Sequence, residues 1–271
     1  MRLASIRFYP VKSTAGHEVP EAEVEPWGLA GDRRYLVTDE HGAVVTARQD
    51  PLLLACVARL DGGSLTLTGP HAAPLRVTPG AARSTVTVGR TPVELTDCGD
   101  DAAHWLSGLV GRTVRLKWLD DPTRRPVNPE YGRPGDRVSL ADGYPLLLTS
   151  SASLAQLNDW IVETALERGE EAPEPLPMRR FRPNVVIDGV GTPFAEDEWK
   201  RVRIGAVDFR VSKLCDRCVL TTVDPATYTK GKEPIRTLSR HRRRDGKVWF
   251  GVNLIPDMPG RIAQGDSVTI L

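Results

Sequence analysis

Two cysteines three positions apart, Cys215 and Cys218, are the residues whose type and spacing point most directly to chemistry. Lys213 and Arg217 stand beside them, and cationic neighbours favour the thiolate form of a cysteine. A thiolate binds soft metals or attacks electrophiles. The segment 215–218 is therefore predicted to bind a metal or to react through sulfur.

The residues alone leave three other interpretations of this pair open. A zinc site needs four ligands, and the remaining cysteines, Cys56 and Cys98, are isolated along the chain. A thioredoxin-type dithiol needs a βαβ pattern, which does not surround the pair. Cys218 is otherwise an inert buried thiol, and Cys215 is by default a structural loop residue.

The elements around the pair must hold Cys218 in place. Residues 219–223, Val-Leu-Thr-Thr-Val, have the composition of a strand and end at Asp-Pro. We therefore expect Cys218 to lie where a loop meets a strand, with its sulfur at the edge of a pocket.

Composition limits the class of protein. The 271 residues include 36 Lys and Arg against 35 Asp and Glu, so no global charge attracts nucleic acid or an anionic membrane. The basic segment 240–244 is interpreted as a solvated loop, with docking of an acidic electron donor as a hypothesis. The chain starts without an apolar signal region, has no apolar run long enough to span a membrane, and has too few cysteines for a disulfide scaffold. These features predict a cytoplasmic protein.

The residue pattern predicts short strands over most of the chain, separated by Gly, Pro and polar turns. Two segments have helical periodicity: 100–109, and 154–167 after a run of serines that can cap it. Residues 120–137 are rich in Pro, Arg and acids and read as an exposed loop or linker. The pattern predicts a mainly β (α+β) fold of barrel type with few helices, divided into 1–120 and 121–271.

Several short motifs recur in a fixed order along the chain. They are residues 9–13 (Tyr-Pro-Val-Lys-Ser), 31–33, 46–49, 97–99, 140–145, 181–184, 215–225 and 250–251. This set resembles the MOSC-domain proteins that carry an N-terminal MOSC β-barrel, the branch with the mitochondrial amidoxime-reducing components and their bacterial relatives. The resemblance implies a MOSC domain over 121–271 and an N-terminal β-barrel domain over 1–120. The first 36 or so residues are expected to dock on the C-terminal domain, with the cofactor at the junction of the two.

The resemblance also assigns roles to individual residues. Cys218 corresponds to the protein ligand of molybdenum, and Asp142 to a catalytic acid near the metal that could relay protons. The residues implied to hold the molybdopterin are Lys12, Ser13, Arg33, Arg182 and Asn184, and Thr46, Arg48 and Tyr144 are assigned to the same pocket. Arginine and lysine suit the cofactor's dianionic phosphate.

The implied function is reduction of N-hydroxylated compounds (hydroxylamines, amidoximes and N-hydroxylated bases) with the molybdenum cofactor, Mo-molybdopterin. The chain ends without a further cysteine cluster, so a separate ferredoxin- or flavoprotein-type donor is expected to supply electrons. No nucleic-acid or membrane partner is expected. Two alternatives remain: a carrier of the cofactor or of sulfur without turnover of its own, and an apo binding protein. No pyridoxal-phosphate-dependent desulfurase region precedes the motifs.

Overall fold

The computed structural model describes residues 1–70 and 72–271, which form two compact units. The C-terminal unit comprises 1–7, 18–25 and 146–271, and the N-terminal unit comprises 8–17 and 26–145. The first strand of the chain is thus part of the C-terminal unit. The domain division expected at residue 120 stays a prediction.

The regular elements are numbered in chain order. The strands are β1 (Arg2–Phe8), β2 (His17–Val19), β3 (Glu21–Glu25), β4 (Gly28–Leu29), β5 (Tyr35–Asp39), β6 (Val44–Val45), β7 (Val57–Asp61), β8 (Ser64–Gly69), β9 (Ala72–Val77), β10 (Arg83–Val88), β11 (Thr91–Asp97), β12 (Val114–Trp118), β13 (Leu146–Ser150), β14 (Val185–Asp188), β15 (Arg201–Ile204), β16 (Val207–Asp216), β17 (Arg243–Arg244), β18 (Lys247–Pro256), β19 (Gly260–Ala263) and β20 (Val268–Ile270). The α-helices are α1 (Gly99–Val110), α2 (Ser151–Glu167) and α3 (Ile235–His241). Short 3-10 helices span Pro51–Ala55, Pro122–Arg124, Met178–Phe181, Ala195–Glu198 and Val219–Thr222. The predicted mainly β fold is confirmed, with 40% strand against 21% helix.

The C-terminal unit is built on one large sheet with the strand order β2-β1-β14-β13-β18-β16-β15-β20, and β17 pairs with β18. From β1 to β20 the neighbouring strands are antiparallel except β13 with β14, which are parallel and joined through α2. The side chain of Ser150 accepts a hydrogen bond from the Ser153 amide, as the serine run predicts for a helix cap. Phe181 and Phe250 stack with ring centroids 4.0 Å apart in the core beneath α2 and α3.

The packing of β18 against a neighbouring strand explains why a glycine, Gly251, follows Phe250. Its φ is +78°, and a Cβ at this position would lie 2.6 Å from the Leu148 carbonyl oxygen of the neighbouring strand β13. Any larger residue would have to displace backbone. The glycine therefore keeps β18 close to β13 while β18 pairs on its other side with β16, the strand that leads to Cys215.

The predicted strand after Cys218 is wrong. Residues Val219–Thr222 form a 3-10 helix, and the strand β16 precedes the cysteine pair instead. The hydroxyl of Thr221 donates to the Cys218 carbonyl over 2.9 Å, and that of Thr222 donates to the Val219 carbonyl over 2.8 Å. Threonines that bond to nearby carbonyls in this way compete with a strand, although their composition favours one.

The N-terminal unit contains a sheet of order β10-β11-β12-β5-β6 and a meander of β7, β8 and β9. Alternating residues of β10 and β11 point into a core that includes Val86, Val88, Val93 and Leu95. Helix α1 ends at Gly111, whose φ of +76° is the left-handed conformation common after a helix. It starts next to Asp97 and Cys98, at the end of β11.

Two loops predicted as exposed are more structured than their composition suggests. Within 120–137, Arg125 and Val127 are buried, and Pro126 forms a β-bridge with Arg137. In 240–244, helix α3 continues to His241 and β17 begins at Arg243. Arginine and proline are common in surface loops, and backbone and side-chain partners elsewhere in the chain override that tendency here.

Asp97 is the centre of a charged cluster in the N-terminal unit. It accepts two hydrogen bonds from Arg115 at 2.7 Å, one from Lys117 at 2.9 Å and one from the Gly99 amide at 2.7 Å. The Arg115 guanidinium is the largest of the causes that hold the pKa of Asp97 far below its usual range. Asp97 and Lys117 are both buried, so each charge depends on the other.

We expect Asp97→Asn to lower the free energy of unfolding at pH 7 by about 3 kcal/mol, because it leaves buried Lys117 without its carboxylate. Since folding depresses the pKa of Asp97, its contribution is present above its unfolded pKa of about 3.9 and is lost as the pH falls toward the folded value. Urea titrations should therefore show a difference from the parent chain that shrinks below about pH 4. Asp100→Asn, at an exposed acid that also pairs with Arg115, is the matched control, and an equal loss there contradicts the assignment.

None of the helices in the described ranges is long and apolar enough to cross a membrane.

Candidate functional site

Lys12 is the first of the predicted cofactor residues in the N-terminal unit. Its side chain is buried, and its ammonium donates to the Leu140 carbonyl over 3.0 Å and to the Asp142 carboxylate. Burial lowers the pKa of Lys12, and the pairing with Asp142 opposes that shift. The backbone amide of Lys12 is held by the Tyr35 carbonyl at 2.8 Å, so β5 fixes the residue's position.

Asp142 joins two of the predicted cations. It pairs with Lys12 through one carboxylate oxygen and with Arg48 through the other, at 2.6 Å. The charge of Lys12, followed by that of Arg48, holds the pKa of Asp142 far below its usual range. In this arrangement Asp142 is an ionised charge partner, and its predicted role as a proton relay stays a prediction.

Arg33 lies against the segment that carries Leu140 in the same unit. Its guanidinium stacks on that ring at 4.2 Å and pairs with Asp32. Its backbone amide donates to the Tyr9 carbonyl over 2.7 Å, and its carbonyl accepts from the Leu140 amide over 2.8 Å. Leu140 thus contacts both Lys12 and Arg33 through its main chain.

Three of the predicted residues have left-handed backbone conformations. Ser13, Arg33 and Arg182 have φ values of 68°, 47° and 56°. Residues other than glycine rarely adopt such values, and those that do are concentrated at binding and active sites. Half of the six non-glycine residues with positive φ in the described ranges are therefore residues that the resemblance assigns to the cofactor.

The turn containing Thr46 positions Arg48. The Gln49 side-chain oxygen accepts from both the amide and the hydroxyl of Thr46 at 3.0 Å, and the Gln49 amide returns a bond to the Thr46 carbonyl at 2.9 Å. Thr46 is consequently satisfied within its own turn, and Arg48 leaves that turn to pair with Asp142. Gln49 belongs to the motif at residues 46–49, but the sequence does not predict that its side chain closes the turn.

Arg125 belongs to this group and was missed by sequence analysis. It is only 4% exposed, and its guanidinium donates to the carbonyls of Ser139 and Ala141 at 2.5 Å and of Asp142 at 3.3 Å. Burial lowers its pKa to about 10. Its buried Nε has no partner among the described residues. No motif signals Arg125, because it lies in a segment whose composition is typical of a linker.

Tyr144 packs edge-on against Tyr131, with ring centroids 6.4 Å apart. This contact orients its ring within the N-terminal unit. Its assignment to the cofactor stays a prediction.

Cys218 lies in the C-terminal unit two residues after the end of β16 and is partly exposed. Its carbonyl accepts from the Thr221 amide at 3.1 Å and from the Thr221 hydroxyl at 2.9 Å. These bonds anchor the main chain of Cys218 at the start of a short helix. The residue after it, Val219, is exposed.

Arg217 and Arg180 connect the cysteine loop to the segment that carries Arg182. Arg217 donates to the Cys215 sulfur over 2.9 Å and to the Phe181 carbonyl over 2.7 Å. Arg180 donates to the Thr222 carbonyl over 3.2 Å and pairs with Asp224 at 2.7 Å. The buried Nε of each arginine has no partner among the described residues. From the sequence, Arg217 is predicted only as a charge beside the cysteines, and no motif identifies Arg180.

Asn184 is buried and bonded to the main chain on both sides. Its amide nitrogen donates to the Arg7 carbonyl over 3.2 Å, and its oxygen accepts from the Leu147 amide over 3.2 Å. The residue thereby links β1 to β13 at the point where Arg182 leaves the 3-10 helix. These bonds fix the position of Asn184, and its assignment to the cofactor stays a prediction.

The four cysteines form no disulfide. Cys56 and Cys98 are buried, and burial raises the pKa of each thiol to about 12, so both are protonated at neutral pH. The described residues contain no group of three or more His, Cys, Asp or Glu side chains arranged to hold a metal ion. Cys215 and Cys218 are the cysteines with exposed surface.

The donor set fits an anionic, sulfur-ligated cofactor better than a metal ion bound by protein alone. In the N-terminal unit, the cations at Lys12, Arg33, Arg48 and Arg125 exceed the two carboxylates at Asp32 and Asp142. Such an excess of partly buried positive charge favours a dianionic phosphate. In the C-terminal unit, Cys218 offers one soft ligand.

Sequence comparisons identify both parts of the chain. Residues 1–113 match the family described as MOSC N-terminal beta barrel domain, and residues 135–269 match the family described as MOSC domain.

Individual relatives match almost end to end. Mitochondrial amidoxime-reducing component 1 of Homo sapiens is 36% identical over 99% of this chain and 82% of its own length. Mitochondrial amidoxime reducing component 2 of Macaca fascicularis is 34% identical over 98% of this chain and 82% of its own length. Molybdenum cofactor sulfurase of Danio rerio is 33% identical over 93% of this chain but only 31% of its own length.

These relatives correct the predicted location. The cytoplasmic assignment is wrong, since the amidoxime-reducing relatives are named as mitochondrial proteins. The prediction relied on few cysteines and on the first residues of the chain. Cysteine usage separates reducing from oxidising surroundings but does not distinguish one reducing compartment from another.

Proposed function

This chain belongs to the family of MOSC-domain proteins with an N-terminal MOSC β-barrel, whose cofactor is the molybdenum cofactor, and from that premise we propose that it reduces N-hydroxylated compounds. Hydroxylamines, amidoximes and N-hydroxylated bases are the proposed substrates. The products are the corresponding amines, amidines and bases, with water.

The observation that carries the proposal is the cluster of Lys12, Arg33 and Arg48 around Asp142. Arg125 donates to the carbonyls of Ala141 and Asp142 and so holds the main chain of this segment. These cations are proposed to bind the phosphate end of the cofactor, and the left-handed Ser13 to present its main chain to it. Backbone hydrogen bonds fix the main chain of Lys12 and Arg33, which limits the ordering that cofactor binding requires.

Cys218 is proposed as the protein ligand of the metal. When bound, the cofactor supplies the two-electron reduction that cleaves the substrate's N–O bond. The chain's part is to hold Cys218 through Thr221 and to orient the loop through Arg217. Arg182, which follows the Phe181 carbonyl held by Arg217, is proposed as a further cofactor contact.

Asp142 is proposed to act through Lys12. A carboxylate with a depressed pKa donates no proton at neutral pH, but its charge stabilises the buried ammonium and fixes its position. Proton delivery is therefore assigned to solvent. Asp142→Asn should then lower cofactor retention and leave the pH dependence of turnover by the remaining loaded protein unchanged, whereas loss of an acid limb from that profile supports a proton relay.

The test of the function uses chain purified from a molybdenum-replete host. Molybdenum and pterin are quantified per chain, and reduction of benzamidoxime and of N6-hydroxylaminopurine is measured with dithionite-reduced methyl viologen as donor. We expect metal and pterin at near one per chain and amidine formation that requires both. Chain that binds neither group contradicts the proposal.

A carrier of the cofactor or of sulfur is the second candidate, favoured by the 33% identity to a molybdenum cofactor sulfurase. A carrier needs the same cations and the same thiol, so these residues do not separate the two functions. Full loading without turnover of either N-hydroxylated substrate supports the carrier, particularly if the loaded chain restores activity to a cofactor-free molybdoenzyme.

A further inference from the structure

Positive charge is concentrated around the cysteine loop. The segment 211–250 contains ten Lys and Arg residues against four Asp and Glu, whereas the whole chain has 36 against 35. The rest of the chain is therefore net acidic. A local field of one sign on a nearly neutral protein points to a specific partner more than to solubility.

Four exposed cations of this segment form what we call the basic rim: Lys230, Lys232, Arg243 and Lys247. Within the described residues none of the four pairs with an acid. Other basic residues of the segment are neutralised, since Arg240 pairs with Glu167, and Arg242 and Arg244 pair with Asp197. The basic rim is the part of this charge left for a partner.

One side of the basic rim is hydrogen-bonded to the cysteine loop. Arg243 pairs with Val248 in the β17–β18 hairpin, and the Val248 carbonyl accepts from the Arg217 amide over 2.7 Å. Trp249, the next residue, is in register with Asp216. Arg243 and Lys247 are thus carried by a hairpin that pairs directly with the residues between the two cysteines.

The other side is tied to the short helix after Cys218. Val223 forms a β-bridge with Lys230, and the Gly231 amide donates to the Thr222 carbonyl over 2.9 Å. Lys230 and Lys232 therefore flank the segment 218–223. Each half of the basic rim is therefore connected by main-chain hydrogen bonds to the segment around Cys218.

We propose that the basic rim is the docking surface for an acidic protein that delivers electrons at the Cys218 loop. This rests on the proposed function: each turnover takes two electrons, delivered one at a time in two encounters when the partner is a one-electron carrier such as ferredoxin, and two protons from solvent, breaks the N–O bond and releases the reduced nitrogen compound and water. Charges at the edge of an interface mainly accelerate encounter, and here they direct the partner to the loop that bears the metal ligand.

Trp249, which lies beside the basic rim, argues against single-stranded nucleic acid as the partner. Trp249 is buried, and the ammonium groups of Lys213 and Lys247 lie 5.6 and 5.7 Å from the centroid of its ring. Its indole nitrogen donates to the Arg244 carbonyl over 3.2 Å. Single-stranded nucleic acid usually binds by stacking bases on exposed aromatic rings in addition to charge, and Trp249 does not present such a ring.

The test is a charge-reversal variant carrying Lys230→Glu, Lys232→Glu, Arg243→Glu and Lys247→Glu. The matched control carries Arg59→Glu, Arg90→Glu, Arg168→Glu and Lys200→Glu, all at exposed positions outside the segment, and changes net charge equally. Benzamidoxime reduction by the loaded proteins is measured with a reduced acidic plant-type ferredoxin and, separately, with methyl viologen.

We expect the rim variant to lose about tenfold or more in ferredoxin-dependent kcat/KM at low salt, together with its salt dependence. Viologen-driven turnover should stay within about twofold of the parent, as should both activities of the control variant. Equal losses in the two variants, or an unchanged ferredoxin rate in the rim variant, overturn the proposal.

Failure of the proposed function can be distinguished from failure of the docking surface. If viologen drives no turnover, the function fails, and calorimetric titration of the parent and rim variant with ferredoxin still decides the docking question. Salt-dependent binding that only the rim variant loses supports the surface. Absence of binding, or rim-dependent binding to single-stranded oligonucleotide or to anionic vesicles in place of ferredoxin, overturns it.

Discussion

Replacing Cys218 with alanine is expected to abolish benzamidoxime reduction and to lower the molybdenum content of the purified chain. The sulfur is the soft ligand that the proposed function assigns to the metal, and Cys56 and Cys98 are buried thiols that cannot replace it. The backbone of Cys218 is held through its carbonyl by Thr221, so alanine should leave the loop in place.

Cys215→Ala is the matched control for this prediction. Its sulfur accepts a hydrogen bond from Arg217, which also binds the Phe181 carbonyl, so the variant loses one contact of the loop and retains the other. We expect it to keep most of its turnover and its metal. Metal analysis, viologen-driven turnover and thermal unfolding should be measured on both variants. A Cys218→Ala protein that is active, or one whose unfolding temperature falls as far as its activity, contradicts the ligand assignment.

The sequence was informative where local chemistry determines structure. Ser150 caps α2, as the serine run predicts. It misled at Val219–Thr222, which has the composition of a strand but forms a 3-10 helix in which threonine hydroxyls bond to carbonyls three residues earlier. Strand propensity is a weak guide whenever side chains can bond to the nearby main chain.

The site residues divide into those that motifs identify and those that no motif marks. Lys12, Arg33 and Cys218 belong to motifs that resemblance can identify. Arg125 and Arg180 do not, because their role is to bind carbonyls that are remote in sequence and close only in the folded chain. A buried guanidinium that donates to several carbonyls is not marked by any spacing pattern in the sequence. Residues that contact the cofactor are thus easier to predict than those that position them.

Lys12→Met is expected to reduce cofactor retention to less than about a tenth of the parent value. Lys12 is a buried cation among the predicted phosphate contacts, and its loss also leaves Asp142 paired with Arg48 alone, so the remaining positive charge is partly cancelled. Pterin per chain after gel filtration measures the effect. Arg90→Met, which removes an exposed charge from the same unit, is the matched control and should retain the cofactor.

The pH dependence of retention tests the same residue in a second way. Burial lowers the pKa of Lys12, so its ammonium loses its proton at a lower pH than a solvated lysine does, and the parent chain should release the cofactor on the alkaline side below about pH 10.4. A guanidinium is a weaker acid than an ammonium in the same surroundings, so it loses less of its charge over that range. Lys12→Arg should therefore bind less tightly at pH 7, because its longer fork must displace the Leu140 contact, yet lose less of its cofactor between pH 8 and 10. If the parent and Lys12→Arg release the cofactor over the same pH range, the Lys12 ammonium is not the group that binds the phosphate.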